Sequence, residues 1–324
     1  MTSTGCLASC DCLQAPRLFT EHIQCALDQV KGETNWKAEI GDFNAGIFWT
    51  KQDSILNLLQ KEVNKLSVSY SSKPFPKCKD AEKLFDGGTK CVLTLVSSIY
   101  HLPLQQGQML FERWHRFYEV LLTTLLRYST TLLNSDTQSI AQSTGAIWEL
   151  CSAVNNMPKD NKSSLVEKQK QVLELVNDAL FELEEAKKTC SSESSEESSS
   201  QYDHSILIAG IGLVKTAKIL LHKSLKSIQL NGHSETAQQV TDADTLGDVI
   251  DKTSETVDDF AVSLYSPVSV VEVRRTFKPL ANHLSSLLAV FRESHFCTEQ
   301  DVQWTTLLEN AISHNDNKVS ALVT

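Results

Sequence analysis

Asp242-Ala-Asp244-Thr-Leu246-Gly247 has the opening of a calcium-binding loop, in which alternate side chains supply oxygen ligands to a hard cation. The resemblance stops there. The fifth position is Leu246, which has no side-chain oxygen, and the twelfth is Thr253, where a bidentate glutamate is needed. An acidic helix start, favoured by the helix dipole, accounts for both aspartates. Gly210-Ile-Gly212 suggests a phosphate-cradling turn, but no strand precedes it and the third glycine is missing. Two small residues inside an apolar run predict close helix packing instead. Cys6, Cys10 and Cys12 are metal ligands by type, yet they lack a fourth ligand at zinc spacing and a nearby histidine. The nine histidines form no His-Glu-x-x-His motif and no triad recognisable by spacing. No catalytic residue, metal site or cofactor is therefore expected.

Surface charge offers a different chemistry. Lys215, Lys218, His222 and Lys226 recur at spacings of three and four, so a helix would align them along one face. Such a stripe is ordinarily a solvated face. Its functional reading is a docking surface for an acidic partner segment, with Lys215, Lys218 and Lys226 as the candidate residues. Arg274, Arg275 and Lys278 form a second basic patch. Ser194 and Ser200 each have an acidic residue three positions on (Glu197 and Asp203), the pattern of an acidophilic kinase substrate. Phosphate at these two candidate positions would extend an already acidic run.

The elements that must carry these residues are helices. Phe111, Trp114, Tyr118, Leu121, Leu125, Tyr128 and Leu132 form an unbroken seam at spacings of three and four, the signature of a helix packed lengthwise against helices. It predicts a helix over 108–133 whose aromatic rings belong to the core. The same periodicity predicts about nine helices in all, among them 18–30, 43–68, 80–102, 162–188 and 205–230. Asp160 or Asn161 is the candidate N-cap of the 162–188 helix. The 205–230 helix is the most apolar and is expected to be central in its bundle. Cys190 to Ser200 reads CSSESSEESSS, too polar and acidic to order itself by burial. The expected organisation is all-α: a disordered N-terminus over 1–16, a first bundle over 17–189, a disordered acidic linker over 190–204, and a second bundle over 205–324. A nested alternative packs the first helix with the C-terminal bundle.

Bulk composition agrees with that reading. The chain has 324 residues, 41% hydrophobic and 22% charged, and only 12 Gly and 7 Pro, which favours long helices over many strands. A net charge of -10 disfavours unspecific binding to nucleic acid or anionic membrane. No run approaches 18 uninterrupted apolar residues, so no membrane span is expected. Nine cysteines, an odd number without a Cys-x-x-Cys pair, read as reduced thiols in a cytosolic or nuclear protein. Asn161-Lys-Ser matches the glycosylation pattern, a chance match in a chain without a secretory signal.

Four stretches together resemble a known family. They are Phe43-Asn-Ala-Gly-Ile-Phe48-Trp49, Met157-Pro-Lys-Asp160-Asn161-Lys162, the run from Val257 through Phe260 and Leu264-Tyr265 to Pro267, and Trp304 with Leu307-Leu308 and Asn310-Ala311-Ile312. In this order they are similar to the cyclin-D-binding proteins, also called Id-like or maternal Id-like cyclin-D-interacting proteins. The resemblance covers about 42–322. It implies talin- or vinculin-like bundles without enzymatic activity, acting in cytoplasm and nucleus. It also implies binding to D-type cyclins, lowered cyclin-D-dependent kinase phosphorylation of the retinoblastoma protein, and dominant-negative association with helix-loop-helix transcription factors. Adaptor proteins are further candidate partners. Direct DNA binding is not expected, because no helix carries the clustered Arg/Lys run of a DNA-reading region. The alternative is a cytoskeletal or adhesion adaptor built of the same bundles.

Overall fold

The computed structural model describes residues 14–32, 43–134, 137–192 and 198–323, all of them in helices, short 3-10 turns and connecting loops. Among these residues there are ten α-helices where about nine were expected, and no strand. The chain divides into two compact units, Met1–Lys159 and Asp160–Thr324.

The first unit contains α1 (Gln14–Gly32), α2 (Ala45–Tyr70), α3 (Cys78–Ile99), α4 (Gln108–Asn134) and α5 (Thr137–Ala153). They form a closed ring in the order α1, α4, α5, α2, α3. Because α1 packs between α3 and α4, the nested arrangement does not occur and the two bundles are sequential. Helix α4 carries the seam, and all seven of its residues are buried, Trp114 to 1% exposure. The aromatic rings are core, as their spacing predicts. Trp114 lies 4.8 Å from the Trp49 ring of α2, and its indole N–H donates to the Pro158 carbonyl at 2.8 Å. Buried hydroxyls fix the register. Tyr118 and Ser98 both donate to the Gln52 side-chain oxygen, and Tyr128 donates to the Val63 carbonyl at 2.9 Å. Burial raises the Tyr118 and Tyr128 phenols well above the usual range, so both remain neutral donors. Burial likewise pushes the Cys151 thiol up to about 12, making it a small hydrophobe rather than a nucleophile.

The second unit contains α6 (Asn161–Ser192), α7 (Ser198–Asn231), α8 (Ala237–Ser263), α9 (Val270–Glu293) and α10 (Val302–Val323). Its ring runs α6, α8, α9, α10, α7, and α7 touches all four other helices, which makes it the central helix. By length and composition Gln201–Asn231 could cross a membrane, but its apolar side chains, such as Leu213, Val214, Leu220 and Leu221, fill the bundle interior. Asp160 proves to be the α6 cap, its carboxylate accepting from the Ser163 N–H at 2.7 Å. Thr236 and Gln239 form a capping box that starts α8 five residues before the expected Asp242.

Two sequence expectations are corrected here. Helix α6 was assigned to a first bundle over 17–189, yet it packs on α7 and α8, so the units divide at Lys159/Asp160. Val172, Val176, Leu180 and Leu183 make its buried stripe, and a stripe does not reveal which neighbours it meets. The linker over 190–204 was expected to be disordered, but α6 continues to Ser192 and α7 begins at Ser198. The entry to α7 is held from a distance: Tyr202 donates to the Leu322 carbonyl, and Asp203 accepts from the Val268 N–H at 3.1 Å. These partners outweigh the weak helix propensity of the serines. Cys6, Cys10, Cys12 and Ser194 lie outside the described residues.

The paired glycines of α7 serve close approach. A Cβ on Gly210 would stand 2.4 Å from a methyl of buried Leu264 at the end of α8, and one on Gly212 would stand 2.8 Å from the Asn315 side chain of α10. Gly210→Ala is expected to lower stability by about 1–2 kcal/mol, because overpacking exceeds the helix-propensity gain of roughly 1 kcal/mol. A urea midpoint at or above the parent's would show that Leu264 yields freely.

Candidate interaction surface

Asp242 and Asp244, the described residues of the calcium-loop pattern, both have structural partners. Asp242 accepts from the His295 N–H at 3.0 Å and from its ring Nδ1 at 2.8 Å, and so pins the α9–α10 connection to α8. Asp244 accepts from the buried Asn161 side chain at 2.9 Å. That same burial leaves Asn161 no room for a glycan. Among the described residues no three His, Cys, Asp or Glu side chains converge on a metal-sized site. Cys25, Cys91, Cys151 and Cys297 are thiols outside any disulfide.

The basic residues divide sharply once their neighbours are known. Arg274 caps the end of α10 through the Val323 carbonyl, Arg275 pairs with Glu272 at 2.8 Å, and Lys278 pairs with Asp316 at 2.6 Å. That patch ties α9 to α10 and to itself, and its charge is largely neutralised. On α7, Lys215 is occupied by Glu184 of α6 at 2.8 Å, which also holds the Glu184 carboxyl below its ordinary range. Lys218 and Lys226 are exposed and meet no carboxylate within ion-pairing distance among the described residues. The candidate stripe thus loses Lys215 as a free cation and keeps the other two.

Two features of this face escaped the sequence reading. Lys223 is exposed beside them, four residues after Ile219, a spacing that would have revealed it. Large apolar residues also stand out among the cations: Ile219 is 46% exposed and Leu230 71%, with Leu307 of α10 at 62%. On the α6 and α8 side, exposed Leu175, Phe181 and Val262 stand instead among carboxylates, where Glu182 and Asp259 add to burial in raising the Asp258 carboxyl. The surface therefore carries two mixed apolar and charged faces of opposite sign. The Ser200 backbone falls in the first turn of α7.

The segments that carry the family resemblance turn out to be mainly packing residues. Phe48, Trp49, Met157, Phe260, Leu264, Leu308 and Ile312 are all buried, while Leu307 points outward. Family models match across two of these four segments, Met157–Lys162 and Val257–Pro267: the one described as Grap2 and cyclin-D-interacting, N-terminal, covers residues 52–189, and its C-terminal counterpart covers 177–289. A cyclin-D1-binding protein 1 homolog of Danio rerio is 31% identical over 322 residues, covering 93% of this chain and 93% of that protein. The chain belongs to the Grap2 and cyclin-D-interacting family. A cyclin-D1-binding protein 1 homolog of Xenopus laevis is 28% identical, covering 94% of this chain and 97% of its own length. The Homo sapiens cyclin-D1-binding protein 1 is 24% identical, covering 96% and 93%. Relatives of this family are thus named as binding proteins. The N-terminal family model extends through most of α6, past the point where the first bundle ends in space.

Proposed function

We propose that this chain is a non-enzymatic interaction protein that binds a D-type cyclin and restrains cell-cycle entry. The observation that carries the reading is family membership along nearly the whole chain, with relatives named for cyclin-D1 binding. The bundles agree with it, because they present exposed helix faces of mixed apolar and charged character, while Asp242 and Asp244 are engaged in holding the second bundle together. By this reading the chain lowers phosphorylation of the retinoblastoma protein by the cyclin-D-dependent kinase. It acts in cytoplasm and nucleus, and it sequesters helix-loop-helix transcription factors without contacting DNA. Grap2, named in the family description, and other adaptor proteins are further partners. Ser194 and Ser200 are its phosphorylation sites.

Purified chain added to a cyclin-D-dependent kinase reaction is expected to lower retinoblastoma-protein phosphorylation in a dose-dependent way. A kinase that does not depend on a D-type cyclin, assayed with the chain present, should be unaffected. Undiminished phosphorylation at saturating chain would refute the inhibitory role. The five-helix bundles favour one second reading, a cytoskeletal adaptor of talin or vinculin type. Co-sedimentation with filamentous actin is its test, and the net charge of -10 opposes binding to an acidic filament.

A further inference from the structure

We propose that the exposed edge shared by α7 and α10 binds an amphipathic helix whose polar face is acidic. The two helices run antiparallel. They are tied at one end by the Asn315 amide, which donates to the Gly212 carbonyl at 3.2 Å and to Thr216 Oγ1 at 2.9 Å, and at the other by Ser227, which donates to Asp301 at 2.6 Å. Between the ties lie about four turns of α7, roughly 22 Å of exposed edge. Lys218, Ile219, His222, Lys223 and Lys226 face outward along it, and α10 contributes Leu307 and His314.

Single exposed apolar residues are ordinary on a protein surface. Here they alternate with cations along one edge, and Leu230 continues the row beyond the Ser227 tie. An occupant must therefore supply apolar side chains at helical spacing together with negative charge on either side of them.

Charge identifies the occupant. The chain as a whole carries -10, and its other basic cluster at 274–278 is neutralised by its own neighbours. Lys223 and Lys226 run against that background without carboxylate partners among the described residues, while Lys218 shares the field of Glu184 with Lys215 at more than ion-pairing distance. The edge has no arginine to fork onto phosphate, and an acidic body repels a long polyanion, so an acidic peptide helix fits better than nucleic acid. Carboxylates at the rim would set orientation and association rate, and Ile219, Leu307 and Leu230 would supply the desolvated contact. The inference does not depend on which protein provides the helix, so its outcome is separable from that of the kinase assay.

The test uses the full chain and a synthetic peptide of about 18 residues, with leucines at spacings of three and four and glutamates between them. Saturable binding is expected at about 0.15 M salt, weakening as salt rises. A peptide of the same composition with its leucines scrambled should bind about 10-fold more weakly or worse. The triple variant K218E/K223E/K226E should weaken binding by at least about 10-fold, and L307D should weaken it at unchanged charge on α7. The control K170E/K187E/K252E makes the same charge change elsewhere on α6 and α8 and should stay within about threefold of the parent. All these positions are exposed, so melting temperatures should agree and folding does not confound the comparison. Absence of saturable binding, equal binding of the scrambled peptide or of a single-stranded oligonucleotide, or an unaffected K218E/K223E/K226E variant would overturn the proposal.

Discussion

Trp114→Ala is expected to cost about 3–5 kcal/mol, among the largest effects of any single truncation in the chain. The indole is 1% exposed, and its ring packs against Trp49, Phe117 and Tyr118 at centroid distances of 4.8, 5.7 and 5.9 Å. Removing it leaves a cavity that neighbouring aromatic rings cannot collapse into without leaving their rotamers. It also leaves the Pro158 carbonyl without the donor that stands 2.8 Å away. For a unit of this size the loss corresponds to a fall in melting temperature of about 10 °C or more. Urea unfolding gives the stability change, and hydrogen exchange should rise most in α2, α4 and α5. A cost below about 1 kcal/mol would mean that the seam is not the centre of its bundle.

Asp301→Ala is expected to cost about 3 kcal/mol. Asp301 is only 6% exposed and serves four donors: Ser227 and the Trp304 indole on one oxygen, the Thr298 N–H and hydroxyl on the other. Alanine strands those donors in a closed site and removes a hydrogen-bonded tie between α7 and the start of α10. Burial works against the charged carboxylate, but the hydrogen bonds from Ser227, Trp304 and Thr298 outweigh it, so Asp301 titrates below its ordinary value. Asp242 behaves in the same way. Burial opposes its charge, and hydrogen bonds from His295 and Gln238 overcome it.

A carboxyl whose folded value is depressed contributes stability above its unfolded value of about 3.9, and that contribution disappears as pH falls through the folded value. Both aspartates hold the 294–301 connection, so the second unit should weaken in acid below about pH 4. Asp301→Asn should flatten that dependence while lowering stability near neutrality, because an amide turns an N–H toward existing donors. An acid limb in the urea midpoint that is identical for parent and variant would contradict this assignment.

What could be read from the sequence was whatever depends on local period. The seam needed only its own spacing, and so did the small-residue pair at Gly210 and Gly212. Asp160 could be recognised as a cap because capping is a contact between near neighbours. What could not be read depends on contacts between distant residues. Nothing around Met157 to Asp160 announces a division between bundles, whereas the serine-rich run that looks like one is entered by α6 and left by α7, whose first turns are held from Leu322 and Val268. Lys215 and Lys218 are alike in sequence, and only the placement of Glu184 brings the first into an ion pair and leaves the second beyond pairing distance. The exposed leucine at 307 sits beside the buried Leu308 and Ile312 in one short segment, so neither composition nor resemblance separates it from them.

The measurement that bears most directly on function is a calorimetric titration of the purified full chain into a purified D-type cyclin near neutral pH and about 0.15 M salt. The expected result is a saturable isotherm that persists when kinase is absent and that an unrelated cyclin does not reproduce. A featureless titration of both folded proteins at concentrations up to about 0.1 mM, where even a Kd of 10 micromolar or so would be seen, would contradict it.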